Sequence, residues 1–312
     1  MSQEFSHTPV MVQEVLDLLA TVPPGPVIDA TVGGGGHAAR LLGANPGMTI
    51  VGLDRDETAL EAAAGVLVPF GARAVLVRAN FAELAQVAAT FAPDGASAVL
   101  FDLGVSSAQF DQAERGFSYR FDAPLDMRMD RRGELDAAQV VNSWSVAELA
   151  RIFAANGEGR FARRIALAIE EARPLATTGE LSDVVRAAIP APARRKGGHP
   201  AKKVFQAIRI AVNDELSILG PSLGVGVDAL VKGGRAVVLS YHSGEDRIVK
   251  EVFGQAVTGG CTCPVPLGCV CGAVGHARHL LRGRRPSREE LASNPRASSA
   301  RMRAIEKLAV QL

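Results

Sequence analysis

The chain has 312 residues, a hydrophobic share of 47% and a net charge of +1. That length allows one large domain or two ordinary ones with a sizeable core, and the near-zero charge excludes a polycation, so any nucleic-acid surface must be local. No run of about 18 apolar residues predicts a membrane span, and the N-terminal MSQEFSHTP carries Glu4 and lacks the basic and apolar regions of a secretory signal.

In chain order, Val12, Val15, Leu16 and Leu19 share a helical face, which predicts a helix over 10–19 stopped by Pro23-Pro24-Gly25. The stretch Val27 to Leu42, VIDATVGGGGHAARLL, then reads as a strand, a Gly-rich turn and a helix start. Glycines there let the backbone take positive φ and approach a ligand, and the helix start offers unpaired N–H groups. A P-loop is excluded, because no G-x-x-x-x-G-K-[ST] occurs. Gly33, Gly35 and Ala38 satisfy the dinucleotide pattern G-x-G-x-x-A. Asp29 points elsewhere: its carboxylate would offset the ammonium and sulfonium of S-adenosylmethionine and repel a pyrophosphate, although Asp also caps turns. The loop by itself leaves S-adenosylmethionine and a nicotinamide or flavin cofactor open.

Thr49 to Leu53 predicts a second strand ending at Asp54, about 20 residues past the glycines, where nucleotide-binding folds keep a ribose-binding acid. Helices are expected over 57–66 and up to Phe91, with strands at Ala74–Val77 and Ala98–Phe101, the latter ending at Asp102. This alternation implies a buried parallel sheet, with Asp29, Asp54 and Asp102 at the carboxyl ends where such sheets bind ligands.

From Leu103 to Arg132 no periodicity holds, and from Trp144 the chain turns helical. Capping boxes Ser145/Glu148 and Thr177/Glu180 open two helices, and a third carries Phe161, Ile165 and Ile169 inward. These predict an inserted helical domain. The basic segment 191–203 holds Arg194, Arg195, Lys196, Lys202 and Lys203, and a long helix follows with Phe205, Ile208, Val212, Leu216 and Leu219 on one stripe. Arg235–Ser240 predicts a strand that resumes the sheet and leads into YHSGEDR at 241–247; a second basic run, 278–288, includes Arg284 and Arg285, and a last helix is expected near 300–308. The four cysteines form Cys261-x-Cys263 and Cys269-x-Cys271. Their clustering is no disulfide framework and points to a reducing cytoplasm. Structural zinc favours C-x-x-C spacing, so no metal is expected.

Long blocks recur in one family: HTPVM at 7–11, VIDATVGGGGH at 27–37, LDRD at 53–56, FDLGVSS at 101–107 and ERGFSYRFDAPLDMRMD at 114–130. FQAIRIAVNDEL at 205–216, SYHSGEDRIVK at 240–250 and NPRASSARMR at 294–303 complete the set. In order and over nearly the whole chain, they resemble the bacterial 16S ribosomal RNA cytosine-N4 methyltransferases. The resemblance implies an α/β fold: a class I S-adenosylmethionine-dependent methyltransferase (Rossmann-like) sheet over 1–108 and 206–312, with an inserted all-helical domain over 109–205. It implies S-adenosyl-L-methionine as cofactor, held by Gly35, Gly36, His37, Asp54, Phe81, Asp102 and Gln109. The implied partner is 16S rRNA of the small ribosomal subunit near the decoding centre, and a homodimer is left open.

Beside those roles stand plainer ones, core packing for Phe81 and helix capping for His37. Many amino-methyltransferases place an Asp/Asn/Ser-Pro-Pro-aromatic turn after the fourth strand, where this chain has Asp102-Leu103-Gly104-Val105. The proton acceptor is therefore open, with Asp102 the first catalytic candidate and His242 the second; His242 could equally be structural, satisfied by Glu245 or Asp246. The expected RNA contacts are Arg194, Arg195, Lys196, Lys202, Lys203, Arg284 and Arg285. The competing functions are a nicotinamide-dependent dehydrogenase and a ribosome-assembly factor without activity.

Overall fold

The computed structural model describes residues 9–104, 112–194, 199–264 and 270–309; Gln109, Arg195, Lys196 and Cys269 lie outside them. The chain divides into two compact units, Met1–Gly104 with Leu216–Leu312, and Val105–Glu215. No helix among the described residues is long and apolar enough to cross a membrane.

The first unit begins with α1 (Val12–Leu19), β1 (Pro26–Asp29), α2 (Gly36–Ala44) and β2 (Thr49–Asp54). It continues with α3 (Glu57–Leu67), β3 (Ala74–Arg78), α4 (Leu84–Phe91) and β4 (Ala96–Asp102). Two of the starts have a side-chain cap. The Asp56 side chain accepts the Thr58 N–H at 3.1 Å and opens α3. Asn80 and Glu83 form a capping box around the short 3-10 turn Phe81–Glu83. Successive residues of β1 and β4 face opposite sides: Ile28, Val99 and Phe101 join one core, and Val27, Ala98 and Leu100 the other. A strand buried on both faces needs apolar residues at successive positions, which is why Val27-Ile28 and AVLF read as continuous runs.

The second unit contains α5 (Ala137–Ser143), α6 (Val146–Ala155), α7 (Ala162–Glu171), α8 (Thr178–Ala188) and α9 (Lys202–Asn213). Val140, Phe153, Ile165, Ile169, Leu181, Val185, Phe205 and Ile208 meet in its core. Helix α5 was not foreseen, although Asp136 and Gln139 form a capping box at its start. The single long helix expected past Phe205 is broken: Asp214 sits at φ 50°, ψ 37°, and α9 ends at Asn213. The Asn213 amide donates to Met127 O at 2.7 Å and accepts the Met129 N–H at 2.8 Å. With Val204, Phe205 and Ile208 in the helical core, the unit closes at Glu215, not at the 205/206 boundary expected from sequence.

The chain returns through α10 (Glu215–Asp228), β5 (Leu230–Ser240), α11 (Ser243–Thr258), β6 (Ala277–Arg284), α12 (Arg288–Ser293) and β7 (Arg301–Lys307). The sheet order is β3-β2-β1-β4-β5-β7-β6. Strands β1 to β5 pair parallel with one another, and β7 runs antiparallel to both β5 and β6. The helix expected near 300–308 is therefore a strand. Its helix-forming residues are overridden by pairing on both edges, which sends Met302 and Ala304 to one core and Ile305 to the other. Arg303 is tolerated in that strand because Asp246 receives its guanidinium at 2.8 and 3.1 Å.

Candidate active site

Strand order reverses beside β1, between β2 and β4. Open parallel sheets bind ligands at that switch point, outside the carboxyl ends of their strands. Three aspartates end the three strands there: Asp29 on β1, Asp54 on β2 and Asp102 on β4.

The Gly-rich turn crosses this edge with Gly33 at φ 51° and Gly35 at φ 80°, conformations that favour glycine. A side chain on Gly36 would strike the Pro9 ring at 2.5 Å, whereas one on Gly34 would meet nothing within 4 Å. The turn thus packs on one side and is open on the other. Asp54 ties it to β2 by accepting the Gly33 N–H at 3.1 Å and the Asp56 N–H at 2.9 Å, one on each oxygen. Both oxygens keep acceptor capacity. Burial, the largest influence, raises the Asp54 carboxyl to about 6, against the pull of the Asp56 N–H.

Asp29 is 2% exposed. Its burial pushes the carboxyl up to about 7, against the opposing pull of His37 and the Thr31 N–H, and Asp102 and Asp54 add repulsion. His37, in the first turn of α2, is buried as well. Burial pulls its pKa down, but Asp102 and then Asp29 outweigh it and the net shift is upward. His37 Nε2 lies 3.4 Å from Asp102 Oδ2. That is an ion-pair distance without hydrogen-bond alignment, and neither ring nitrogen has a hydrogen-bond partner among the described residues.

Asp102 is held from two further directions. Its backbone N–H donates to Thr31 Oγ1 at 2.6 Å, and the Tyr241 hydroxyl donates to Asp102 Oδ1 at 2.6 Å. Burial first, then Asp102, drives the Tyr241 phenol well above its ordinary pKa, so it stays a donor. Tyr241 was not singled out from sequence; its position one residue past the end of β5, beside β4, was the available signal. His242 turns to a different task. It caps α11, with Nδ1 accepting the Gly244 and Glu245 N–H groups at 3.2 and 3.4 Å, and Nε2 lies 3.1 Å from Glu245 Oε1. Phe81 stands edge-on to Phe101 at 6.1 Å between centroids and is partly exposed, so it both packs on the core and offers a face.

A sequence model of the MraW methylase family matches residues 4–308. The ribosomal RNA small subunit methyltransferase H of Symbiobacterium thermophilum is 52% identical over 310 residues, covering 97% of each chain. Its counterpart in Thermobifida fusca is 51% identical over 311 residues, covering 97% of this chain and 93% of the relative. That of Geotalea daltonii is 46% identical over 311 residues, covering 98% and 99%. The chain belongs to the MraW methylase family. Its sheet is that of a class I S-adenosylmethionine-dependent methyltransferase, and the nicotinamide and flavin readings of the loop fall away.

The residues of this MraW-family site fit S-adenosylmethionine. Gly34 leaves room beside the backbone, Asp54 keeps lone pairs for two ribose hydroxyls, and Phe81 offers an apolar face for a base. Asp102 and Asp54 repel the Asp29 carboxylate, and His37 opposes them. A desolvated group of acids is relieved by a cation, which the sulfonium and ammonium supply.

The residues expected to meet RNA fall in both units. Arg194 ends a short helical turn, Ala191–Arg194, and Lys202 and Lys203 open α9; all three are exposed. Lys203 also donates to Gly157 O at 2.7 Å. Arg284 ends β6, 3.6 Å from Glu14, and Arg285 follows it, exposed.

Proposed function

We propose that the chain is an rRNA methyltransferase that transfers a methyl group from S-adenosylmethionine to N4 of a cytidine in the decoding centre of 16S rRNA, acting on the small ribosomal subunit. The observation that carries the reading is Asp102, an acid at the end of β4 whose carboxylate is fixed by Tyr241 and faces His37.

When bound, S-adenosylmethionine supplies an electrophilic methyl on a sulfonium. The chain's own work is alignment, since in-line displacement depends on holding nucleophile and methyl in register. Gly35, Gly36 and the first turn of α2 would hold the methionine end, Asp54 would accept the ribose hydroxyls, and Phe81 would offer its face to the adenine. Cytosine's exocyclic amine is a poor nucleophile because its lone pair is delocalised into the ring. Asp102 accepts an N–H of that amine, favours a pyramidal nitrogen and takes up the developing positive charge. Tyr241 keeps the carboxylate oriented. His242, engaged in its helix cap, serves position and not proton transfer. Arg194, Lys202, Lys203, Arg284 and Arg285, with Arg195 and Lys196, contact phosphates, which give position and affinity but little sequence information. The target base must leave its stack to reach the methyl.

Calorimetry and methyl transfer test this. S-adenosylmethionine and its demethylated product should bind while NAD does not, and labelled methyl should pass to isolated small subunits far faster than to a short oligonucleotide. Tight NAD binding, or equal transfer to the oligonucleotide, overturns the reading.

A further inference from the structure

The cysteine loop leaves α11 and returns at β6, and it is pinched at its base. His276 N–H donates to Ala256 O at 2.9 Å. A side chain on Gly259 would strike Val274 O at 2.5 Å, and one on Gly275 would strike Val257 O at 1.9 Å, so both positions of the neck require glycine. Past the neck the described residues offer no apolar core: Val270 is 89% and Val274 68% exposed. An exposed loop without a core has no hydrophobic reason to hold one conformation. Yet the sulfurs of Cys261, Cys263 and Cys271 lie within 4.8 Å of one another.

We propose that Cys261, Cys263 and Cys271 form a structural site for a thiophilic divalent cation, zinc above all. Around a tetrahedral zinc with bonds of about 2.3 Å, sulfurs stand roughly 3.8 Å apart; the cluster needs to contract by an ångström or less. Backbone N–H groups of Val270 and Cys271 point at the Cys263 sulfur, the arrangement that orients and stabilises a ligating thiolate. The two C-x-C pairs argued against zinc by their spacing. The distances answer that objection, because the Cys271 sulfur lies within 4.8 Å of both sulfurs of the first pair. Among the described residues no fourth His, Cys, Asp or Glu ligand atom joins the three, and the tetrahedron is completed by one further donor. On ligation each thiol S–H bond is replaced by a sulfur–zinc bond, and the protons pass to the buffer.

The site is structural and separate from methyl transfer. It follows the carboxyl end of α11, whose opposite end carries His242. That helix has 16 residues, about 24 Å at 1.5 Å per residue. The metal would fix the segment that feeds β6, the edge strand carrying Arg278, Arg282 and Arg284.

The untagged full chain, made in a reducing cytoplasm and purified with reductant and without chelator, is analysed for metal. About one zinc per chain is expected, as for a single thiolate site, and less than about a tenth of that in Cys261→Ser/Cys263→Ser/Cys271→Ser. Cobalt(II) exchanged into the wild-type chain should show a thiolate-to-cobalt charge-transfer band, absent in the triple variant. Far-UV circular dichroism and S-adenosylmethionine affinity should be the same in both chains, which separates loss of the metal from loss of the fold. If the purified chain holds no zinc, the apo chain is titrated with zinc against a chelating dye; affinity weaker than about micromolar, which structural sites far exceed, overturns the proposal. Zinc retained by the triple variant, or disulfides among these cysteines in freshly purified protein, overturns it as well.

Discussion

Replacing Asp29 by Asn tests the electrostatics of the site. The Asp29 carboxyl is 2% exposed, and burial lifts it from its ordinary 3.8 to about 7. Below pH 4 the group is neutral in the folded and unfolded chains, and above about 7 it is charged in both. Between those limits the folded chain keeps a proton that the unfolded chain has lost, so stability falls as pH rises across the window. A shift of about 3 units at about 1.4 kcal/mol each amounts to roughly 4 kcal/mol at pH 8. Asn keeps the shape and can still accept the Thr31 N–H, 3.2 Å away in the wild type, without the charge. In urea unfolding of the cofactor-free chain, Asp29→Asn should therefore be more stable by about 2–4 kcal/mol at pH 8 and by less than about 2 kcal/mol at pH 5. Asp54 and His37 have raised pKa values and slope the same way, but they do so in both proteins and largely cancel in the difference. The stabilised variant should also bind S-adenosylmethionine more weakly, because the acid that a cation relieves is gone. A variant no more stable than wild type at pH 8, with the same pH slope, would contradict a raised Asp29 pKa.

Asp54→Ala should weaken cofactor binding by about 1–3 kcal/mol, the cost of leaving hydroxyls unpaired, and an unchanged affinity by calorimetry would remove Asp54 from the site. Tyr241→Phe deletes the donor to the Asp102 carboxylate; at about 1.5–3 kcal/mol for a hydrogen bond to a charged group, kcat/KM should fall roughly tenfold to a hundredfold, and full activity would contradict the assigned role. Reversing the charge of Lys202 and Lys203, or of Arg284 and Arg285, should weaken RNA binding and flatten its dependence on salt while cofactor affinity holds; an unaltered salt slope would take that pair off the RNA surface.

The sheet from β1 to β4 was legible because strands buried on both faces leave apolar runs, and because β1, β2 and β4 each end in an aspartate. The inserted helices were legible through Ser145/Glu148 and Thr177/Glu180, whose boxes the structure contains. The same logic applied to Asp136 and Gln139 would have found α5. The carboxyl-terminal strands were hidden: Arg301–Lys307 is built of good helix formers, and only its place between β5 and β6 makes it a strand. The break at Asp214 was hidden likewise, since the apolar stripe runs on while the backbone turns left-handed. At the candidate site, the strand-end positions of Asp29, Asp54 and Asp102 were legible because each follows an apolar run, whereas Tyr241 meets Asp102 across 139 positions of sequence, which spacing cannot reveal. The meeting of Cys261 and Cys263 with Cys271 is likewise a fact of three-dimensional distance that spacing does not show.

The proposed reaction is methyl transfer to cytosine N4 of small-subunit RNA. Its most direct test incubates the purified chain with small subunits lacking the modification and S-adenosylmethionine carrying an isotopically labelled methyl, then digests the 16S rRNA for nucleoside mass spectrometry. Label is expected in N4-methylcytidine, abolished by Asp102→Ala. Label in another nucleoside, or none above the Asp102→Ala background, would contradict it.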